Sequence, residues 1–183
     1  KSARHNITVF EKLDLNAIII NAAGCGSILK EYGELLADDP KWAKRGAAFS
    51  ANVKDLTEWL RESDVKNRNP ELKVTYHDAC HLAHPQGITA APRALVNAYG
   101  GQLVEMPEAD VCCGSAGSYN LTEPEMAARL QNRKVQNIIS TGADVVVTSN
   151  PGCLLQIQSG LRKAGSTIQA MHIADYLATG RGE

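Results

Sequence analysis

Five cysteines are the side chains best suited to chemistry in this 183-residue chain, and two of them, Cys112 and Cys113, are neighbours. Their odd number and the size of the chain argue against a disulfide framework. Buried structural thiols would account for Cys25, but they account poorly for an adjacent pair that glycine follows. Because adjacent side chains usually diverge, the pair suits a cluster of several irons better than one small ion. Four cysteines are therefore predicted to bind a metal cluster: Cys80, Cys112, Cys113 and Cys153.

Residues next to these cysteines are expected to support the metal by hydrogen bonding. Gly114 and Gly117, with the small residues Ser115 and Ala116, would let backbone N–H groups approach the sulfurs, which helps to set a cluster's reduction potential. The supporting positions predicted around the metal are Asn150, His77, His84 and Gly114.

The cysteines are predicted to lie at strand ends in an α/β fold. Apolar segments alternate with helical patterns, which is typical of βα units and a mostly parallel sheet. Open sheets of this kind place their sites at the carboxyl ends of the strands. The predicted strands are 17–21, 72–76, 102–106, 143–148 and about 168–171. The predicted helices are 27–36, 41–61 capped by Asp39, 92–99, about 122–140 opened by a capping box, about 153–163, and 173–178.

One sequence pattern occurs twice in the chain. Residues 18–20 are apolar and lead to Gly24-Cys25 and a helix, as residues 145–147 lead to Gly152-Cys153 and a helix. Two units are therefore predicted, with a polar connector at 66–70. Residues 1–65 would be the C-terminal remnant of a first cysteine-rich repeat, truncated at Lys1, and residues 66–183 a complete second one. Cys25 would then belong to a separate, truncated site.

The spacing of the cysteines is specific, since 31 residues separate Cys80 from Cys112 and 35 separate Gly114 from Asn150. The motif C-x31-C-C-G-x35-N-P-G-C resembles the CCG cysteine-rich domain of heterodisulfide reductase subunits, lactate-utilisation proteins and glycolate oxidase iron–sulfur subunits. This resemblance extends from about residue 16 to 177. Within the family, the local sequence is most similar to the glycolate oxidase subunits, through residues 23–26, 30–33, 80–84, 112–119 and 150–153.

The resemblance implies an electron-transfer subunit that carries an iron–sulfur cluster, [4Fe–4S], and does not itself oxidise the substrate. Its partners would be flavin-containing glycolate oxidase subunits, which oxidise glycolate to glyoxylate, with a membrane quinone pool as an indirect destination of the electrons. The implied location is cytoplasmic, peripheral to the inner membrane. An isolated chain could instead carry zinc or be empty.

One position departs from the family pattern. The full motif ends in C-x-x-C, and here Asn150 replaces the first of those two cysteines. In heterodisulfide reductase proteins, the five-cysteine form is associated with a noncubane cluster that acts on disulfides. Four cysteines still suffice for a conventional [4Fe–4S] cluster. Asn150 could offer a weak oxygen ligand or only a hydrogen bond.

Two other functions remain open at this stage. One is a thiol/disulfide redox enzyme of the heterodisulfide reductase kind. The other is a zinc-stabilised assembly module, in which His77, His81 and His84 could join the cysteines.

The composition argues against several further classes. A net charge of −1 without a basic patch, and an aromatic content of 5%, argue against nucleic acid as a partner. No apolar run approaches the roughly 20 residues that span a bilayer. No G-x-G-x-x-G loop follows a strand, which argues against a nucleotide site.

Overall fold

The structure is a computed structural model that describes residues 1–61, 65, 71–115 and 117–179, so the predicted connector 66–70 and Ala116 lie outside the described residues. The strands are β1 (Ile18–Ile20), β2 (Val53–Asp55), β3 (Lys73–His77), β4 (Gln102–Leu103), β5 (Val145–Thr148) and β6 (Gln169–His172). The helices are α1 (Ser2–Phe10), α2 (Ala23–Lys30), α3 (Tyr32–Leu35), α4 (Ala43–Asn52), α5 (Leu56–Trp59), α6 (Cys80–Ala83), α7 (Ala90–Tyr99), α8 (Tyr119–Thr122), α9 (Pro124–Ser140), α10 (Pro151–Lys163) and α11 (Ile173–Ala178).

The strands form two sheets within these residues. β1 pairs with β2, and the larger sheet has the order β4-β3-β5-β6. All of these pairs are parallel. The predicted α/β fold with a mostly parallel sheet is therefore confirmed. Among the described residues, no helix combines the length and the apolar character needed to cross a membrane.

The larger sheet is buried on both faces. Every residue of β5 is buried, as are four of the five in β3, which is usual for parallel strands that helices cover. On one face, Val146 packs in a cluster that includes Cys113 and Cys153. On the other face, Val145 and Val147 pack with three buried tyrosines, Tyr76, Tyr99 and Tyr176. The cysteine site thus adjoins the most deeply buried part of the fold.

The predicted helix over 41–61 is wrong. Helix α4 ends at Asn52, and the chain then forms β2 beside β1, with Val53 opposite Ile18. Asp55 next begins α5 with a capping box: its side chain accepts a hydrogen bond from the Thr57 N–H, and its own N–H donates to Glu58. A strand of three residues is too short to interrupt a helical pattern of apolar residues, so local spacing could not reveal it.

Several predicted boundaries also shift. The helix predicted over 27–36 is divided into α2 and α3, and α2 begins early enough to include Cys25. The strand predicted over 102–106 is only Gln102–Leu103. The capping box predicted at the start of α9 does not form, because Glu123 is the N-cap residue and makes no side-chain cap bond. Asp39 starts a turn ahead of α4, but Trp42 is the N-cap.

The two predicted repeats share local geometry at their cysteines. Cys25 is the third residue of α2 after β1, as Cys153 is the third residue of α10 after β5. The N-cap residues are alike as well, with φ/ψ of −136°/100° at Ala22 and −141°/122° at Asn150. The two helices begin side by side, since the Ala23 N–H donates to the Ser149 carbonyl at 3.4 Å. The division into units at 65/66 stays a prediction.

One substitution changes the free energy of unfolding in opposite directions for the capped α5 and for an uninterrupted helix. We expect Asp55→Ala to lower the free energy of unfolding by about 1 kcal/mol, because the cap is lost. In a continuous helix, the same change would raise stability by roughly 0.5 kcal/mol, because alanine is the better helix former. Urea denaturation measures the difference. The exposed Asp38→Ala is the control and should change stability by less than about 0.5 kcal/mol.

Candidate metal centre

Two neighbouring strands bring two of the predicted cysteines to the same edge of the larger sheet. β3 and β5 pair in parallel up to His77 opposite Thr148. Cys80 begins α6 just after β3, and Cys153 lies in the first turn of α10 just after β5. Because the carboxyl ends of parallel strands share one edge, these two thiols converge there.

The loop between β4 and α8 supplies the adjacent pair. Cys112 and Cys113 reach the same cavity as Cys80 and Cys153, a space of about 490 Å³. Cys113 and Cys153 are buried, whereas Cys80 and Cys112 are partly exposed. The structure therefore brings together the four cysteines predicted from spacing, with a buried and a more open side.

Cys25 lies at the wall of the same cavity. It enters from α2, is exposed, and follows β1 as Cys153 follows β5. The first unit of the chain thus contributes a thiol to the rim of the space in which the other four meet.

The four sulfurs form a continuous series of contacts. Neighbouring thiols lie close enough to shift one another's pKa: Cys80 and Cys112, Cys112 and Cys113, and Cys113 and Cys153. Each sulfur also accepts at least one N–H, and the Cys80 sulfur lies 3.4 Å from Nδ1 of the His81 ring as well. The donors are the backbone N–H of His81 for Cys80, of Gly114 for Cys112 at 3.3 Å and of Ser115 for Cys113, and the Asn150 amide for Cys153 at 3.4 Å. N–H groups directed at sulfur favour the thiolate form, which is the form that binds metals.

The proximity of these thiols shifts their protonation. The hydrogen bond with Cys112 and, to a lesser degree, burial raise the pKa of Cys80. The pKa of Cys113 is raised by its bonds to Cys112 and Cys153 and then by burial. The pKa of Cys153 is lowered, chiefly because Cys113 donates to it, with smaller contributions from His77 and Asn150. Without a cation, these shifts favour a thiolate at Cys153 beside protonated thiols at Cys80 and Cys113, and a bound metal would release their protons.

His77 places a further potential metal-ligand atom, a ring nitrogen, near two of the sulfurs. Its side chain is fully buried, and its donor nitrogen and the sulfurs of Cys113 and Cys153 all lie within 4.8 Å of one another. Neither ring nitrogen of His77 makes a well-directed hydrogen bond in the described part of the chain, but the imidazole lies close enough to the Cys153 sulfur to help lower the pKa of that thiol.

Helix α9 holds the loop that carries the cysteine pair. Glu108, before the pair, has a φ of +55°, which is rare for a residue with a side chain. Its carboxylate accepts hydrogen bonds from Arg133 and from Asn137. The buried Lys134 donates to the backbone carbonyls of Glu108 and Ala109. A residue with unfavourable backbone geometry is thus fixed by three side chains from one helix.

A second set of bonds ties this loop to Cys80. The Ala109 carbonyl also accepts the Asp78 N–H at 3.1 Å, two residues before Cys80. Arg93 on α7 grips the Asp78 carboxylate with two hydrogen bonds of 2.8 Å and also binds Glu105. The two cysteine-bearing segments are therefore held in a fixed relation by contacts between residues far apart in the sequence.

The residues predicted to support the metal site differ in whether they contact a sulfur. Asn150 and Gly114 donate to sulfurs. His84 is exposed, and its ring contacts the Asp110 carbonyl at 3.4 Å. It therefore packs against the loop that carries Cys112 and Cys113 and does not contact a sulfur. The sequence did not reveal Lys134 or Arg93, because a charged residue on a surface helix is usually solvated and nothing in the local pattern marked Lys134 as buried or Arg93 as the partner of Asp78.

The donor set fits an iron–sulfur cluster. One tetrahedral zinc ion takes four ligands, whereas five thiols border this cavity. Four thiolates with N–H groups directed at them are the usual surroundings of [4Fe–4S]. The compact group of His77, Cys113 and Cys153 could hold a single soft ion such as zinc, so the site also accepts that alternative.

Comparison with known proteins agrees with this donor set. Residues 74–158 match the family described as a cysteine-rich domain, CCG. A probable glycolate oxidase iron-sulfur subunit from Bacillus subtilis is 42% identical over 98% of this chain and 42% of its own length. Lactate utilization protein A is 34% identical in an Exiguobacterium species and 33% identical in Shouchella clausii, each over 75% of its length. The chain thus spans less than half of the first relative and about three quarters of the other two.

Replacement of the buried Lys134 tests whether its hydrogen bonds from α9 hold the loop that carries Cys112 and Cys113. We expect Lys134→Met to lower the free energy of unfolding by about 1–3 kcal/mol, because the carbonyls of Glu108 and Ala109 both lose a charged donor. Cys112 and Cys113 should also react faster with a thiol reagent in the metal-free protein. Urea denaturation and thiol-labelling rates measure these effects, with the exposed Lys44→Met as the control. Unchanged labelling would show that Lys134 does not position the loop.

Proposed function

Because this chain belongs to the CCG cysteine-rich domain family, we propose that it is an iron–sulfur electron-transfer subunit. Cys80, Cys112, Cys113 and Cys153 hold the cluster, which is [4Fe–4S]. The observation that supports this most directly is the series of contacts among the four sulfurs, each with its own N–H donor. The Bacillus subtilis relative, named as a probable glycolate oxidase iron-sulfur subunit, supports the same function.

The chain's own residues fix how the cluster is held. The strand ends and the α9-bound loop present the sulfurs with little freedom, so little rearrangement accompanies a change of charge. The N–H donors disperse negative charge from the sulfurs and so raise the reduction potential. When bound, the cluster supplies one-electron transfer. The buried Cys113 and Cys153 keep its inner side dry, and electrons enter and leave on the side of Cys80 and Cys112, which are partly exposed.

The electron donor is a flavin-containing glycolate oxidase subunit. Oxidation of glycolate to glyoxylate releases two electrons and two protons, and a flavin can pass those electrons one at a time to a neighbouring cluster. The electrons then continue towards a membrane quinone pool, and the complex works in the cytoplasm at the inner membrane. Lactate, another 2-hydroxy acid, is a second candidate for the partner's substrate, because relatives named lactate utilization protein A match over most of their length.

Cys25 is assigned to a separate group. It stands in the first unit where Cys153 stands in the second, and it is exposed at the wall of the cavity, whereas Cys113 and Cys153 are buried. It is therefore the matched control for the four proposed ligands.

Metal analysis tests the proposal. The chain is purified and reconstituted under strict exclusion of oxygen, then analysed for iron, sulfide and zinc and by electron paramagnetic resonance after reduction. We expect about four iron and four sulfide per chain, with the spectrum of a reduced [4Fe–4S] cluster. Stoichiometric zinc without iron would contradict the proposal and favour the assembly module, and turnover of disulfides by the chain would favour the reductase.

Single cysteine variants test the ligand set. Cys113→Ser and Cys153→Ser should lose the cluster, because each removes a buried thiolate that has no substitute at its position. Cys25→Ser should keep the iron and sulfide content of the parent chain. Loss of the cluster in Cys25→Ser as well would show that all five cysteines serve one site.

A further inference from the structure

Three buried polar side chains stand side by side at the carboxyl edge of the larger sheet. In the strand register, His77 of β3 lies opposite Thr148 of β5, and Thr148 lies opposite His172 of β6. Side chains alternate between the two faces of a strand. Because Val146 packs in the cluster that contains Cys153, Thr148 and both of its neighbours point to that same face. We call these three residues the polar row.

Every member of the polar row has a polar atom without a hydrogen-bond partner among the described residues. The imidazole of His77 helps to lower the pKa of the Cys153 thiol, so one of its nitrogens faces that sulfur, within 4.8 Å of it. The second nitrogen of His77 has no partner in the described part of the chain, and the same is true of Oγ1 of Thr148 and Nε2 of His172. Burial of a polar atom without a partner is unfavourable, and three such atoms in one row call for a shared explanation.

The tautomer of His172 sets a direction for the polar row. His172 is the N-cap residue of α11, and its Nδ1 accepts the backbone N–H of Ala174 at 3.1 Å. A nitrogen that accepts a hydrogen bond carries no proton, so the neutral imidazole bears its proton on Nε2. The hydroxyl of Thr148, on the adjacent strand, can accept this N–H. Because a backbone N–H cannot become an acceptor, this end of the row is a fixed donor.

The Cys153 sulfur fixes the other end of the polar row. A metal-binding sulfur is a thiolate and can only accept, so His77 presents an N–H to it and its second nitrogen is an acceptor. The hydroxyl of Thr148 stands between the two imidazoles and can accept from one and donate to the other. Neighbouring strands lie about 4.8 Å apart, so side chains at matching positions reach one another directly or through one bridging water. The three atoms without partners therefore complement one another as donor, hydroxyl and acceptor.

We propose that the polar row is a directional hydrogen-bond relay that ends at the Cys153 sulfur, with Thr148 and His172 as its positioning residues. A hydrogen bond donated to the second nitrogen of His77 polarises the ring and strengthens the N–H that is directed at the sulfur. The stronger N–H disperses more negative charge from the sulfur and raises the reduction potential of the bound cluster. This last effect rests on the proposed function, whereas the hydrogen bonds of the relay form without a cluster.

Nitrogen NMR of the metal-free chain tests the relay itself. With ¹⁵N-labelled histidine, His172 should be protonated at Nε2 alone, and the unprotonated nitrogen of His77 should have the chemical shift of a hydrogen-bond acceptor. Thr148→Val removes the hydroxyl at nearly constant volume and should move that nitrogen to the shift of a free imidazole lone pair. Thr148→Ser should restore the parent shift. Thr75→Val is the matched control, because Thr75 is a buried threonine on the strand of His77 but outside the row.

The same spectra can overturn the relay. If the unprotonated nitrogen of His77 keeps its shift in Thr148→Val, the threonine is not its donor. A His77 ring that is protonated on both nitrogens would have no acceptor and would exclude the relay as well. An equal change in Thr75→Val would assign the effect to repacking of the sheet face.

The reduction potential of the reconstituted iron–sulfur chain tests the effect on the cluster. A redox titration followed by electron paramagnetic resonance measures it. Thr148→Val and His172→Ser should both lower the potential by more than Thr75→Val does, whereas Thr148→Ser should stay close to the parent. His172→Ser keeps a side-chain cap for α11 but removes the distal N–H, so its effect does not depend on loss of the helix cap.

The two measurements separate this proposal from the proposed function. Equal potentials in all of these variants would overturn the effect of the relay on the cluster and leave the proposed function intact. The expected nitrogen shifts in a chain that takes up no iron would instead support the relay and contradict the proposed function.

Discussion

The crowding of four sulfurs at one edge of a parallel sheet is the constraint on which the rest of this structure depends. Thiols in contact cannot all ionise, because each thiolate would raise the energy of the next at short range and low dielectric. The pKa of Cys80 and that of Cys113 are accordingly raised, while that of Cys153 is lowered. A cation removes this conflict. The site is therefore built for a positively charged group, and its stability and its function are linked.

The fold meets this constraint with two kinds of support. Paired strands place Cys80 and Cys153 by their backbones, and β-branched residues on both faces of β5 leave those strands little freedom. The cysteine pair lies in a loop, which has no ladder of its own to hold it. Its position depends on side chains from α9, including a lysine that must be desolvated, since burial lowers the pKa of Lys134. Desolvation of the lysine charge is unfavourable, and the fold accepts this free-energy cost because the lysine fixes an irregular segment beside the sulfurs.

This contrast explains what the sequence could and could not predict. The four cysteines and the strands before Cys80 and Cys153 are local features, visible as spacing and as runs of β-branched residues. β2 was missed because three residues cannot display a period, and it exists only through its pairing with β1. Lys134 and Arg93 were missed because their partners lie 15 to 26 residues away. The burial of His77 could not be predicted either, because a histidine near a cysteine has the same local sequence pattern at the surface and in the core.

The exchange of a cysteine for Asn150 fits electron transfer better than disulfide chemistry. A thiolate at that position would add a negative charge to a partly buried site, whereas the amide adds none and directs an N–H at Cys153. Both differences lower the electron density on the sulfurs, and a less negative site accepts an electron more readily. A group that works on disulfides instead needs sulfur that is nucleophilic and accessible, and the sulfur beside Asn150 is buried and already accepts a hydrogen bond. The substitution therefore supports the proposed electron transfer rather than a reaction at the sulfurs.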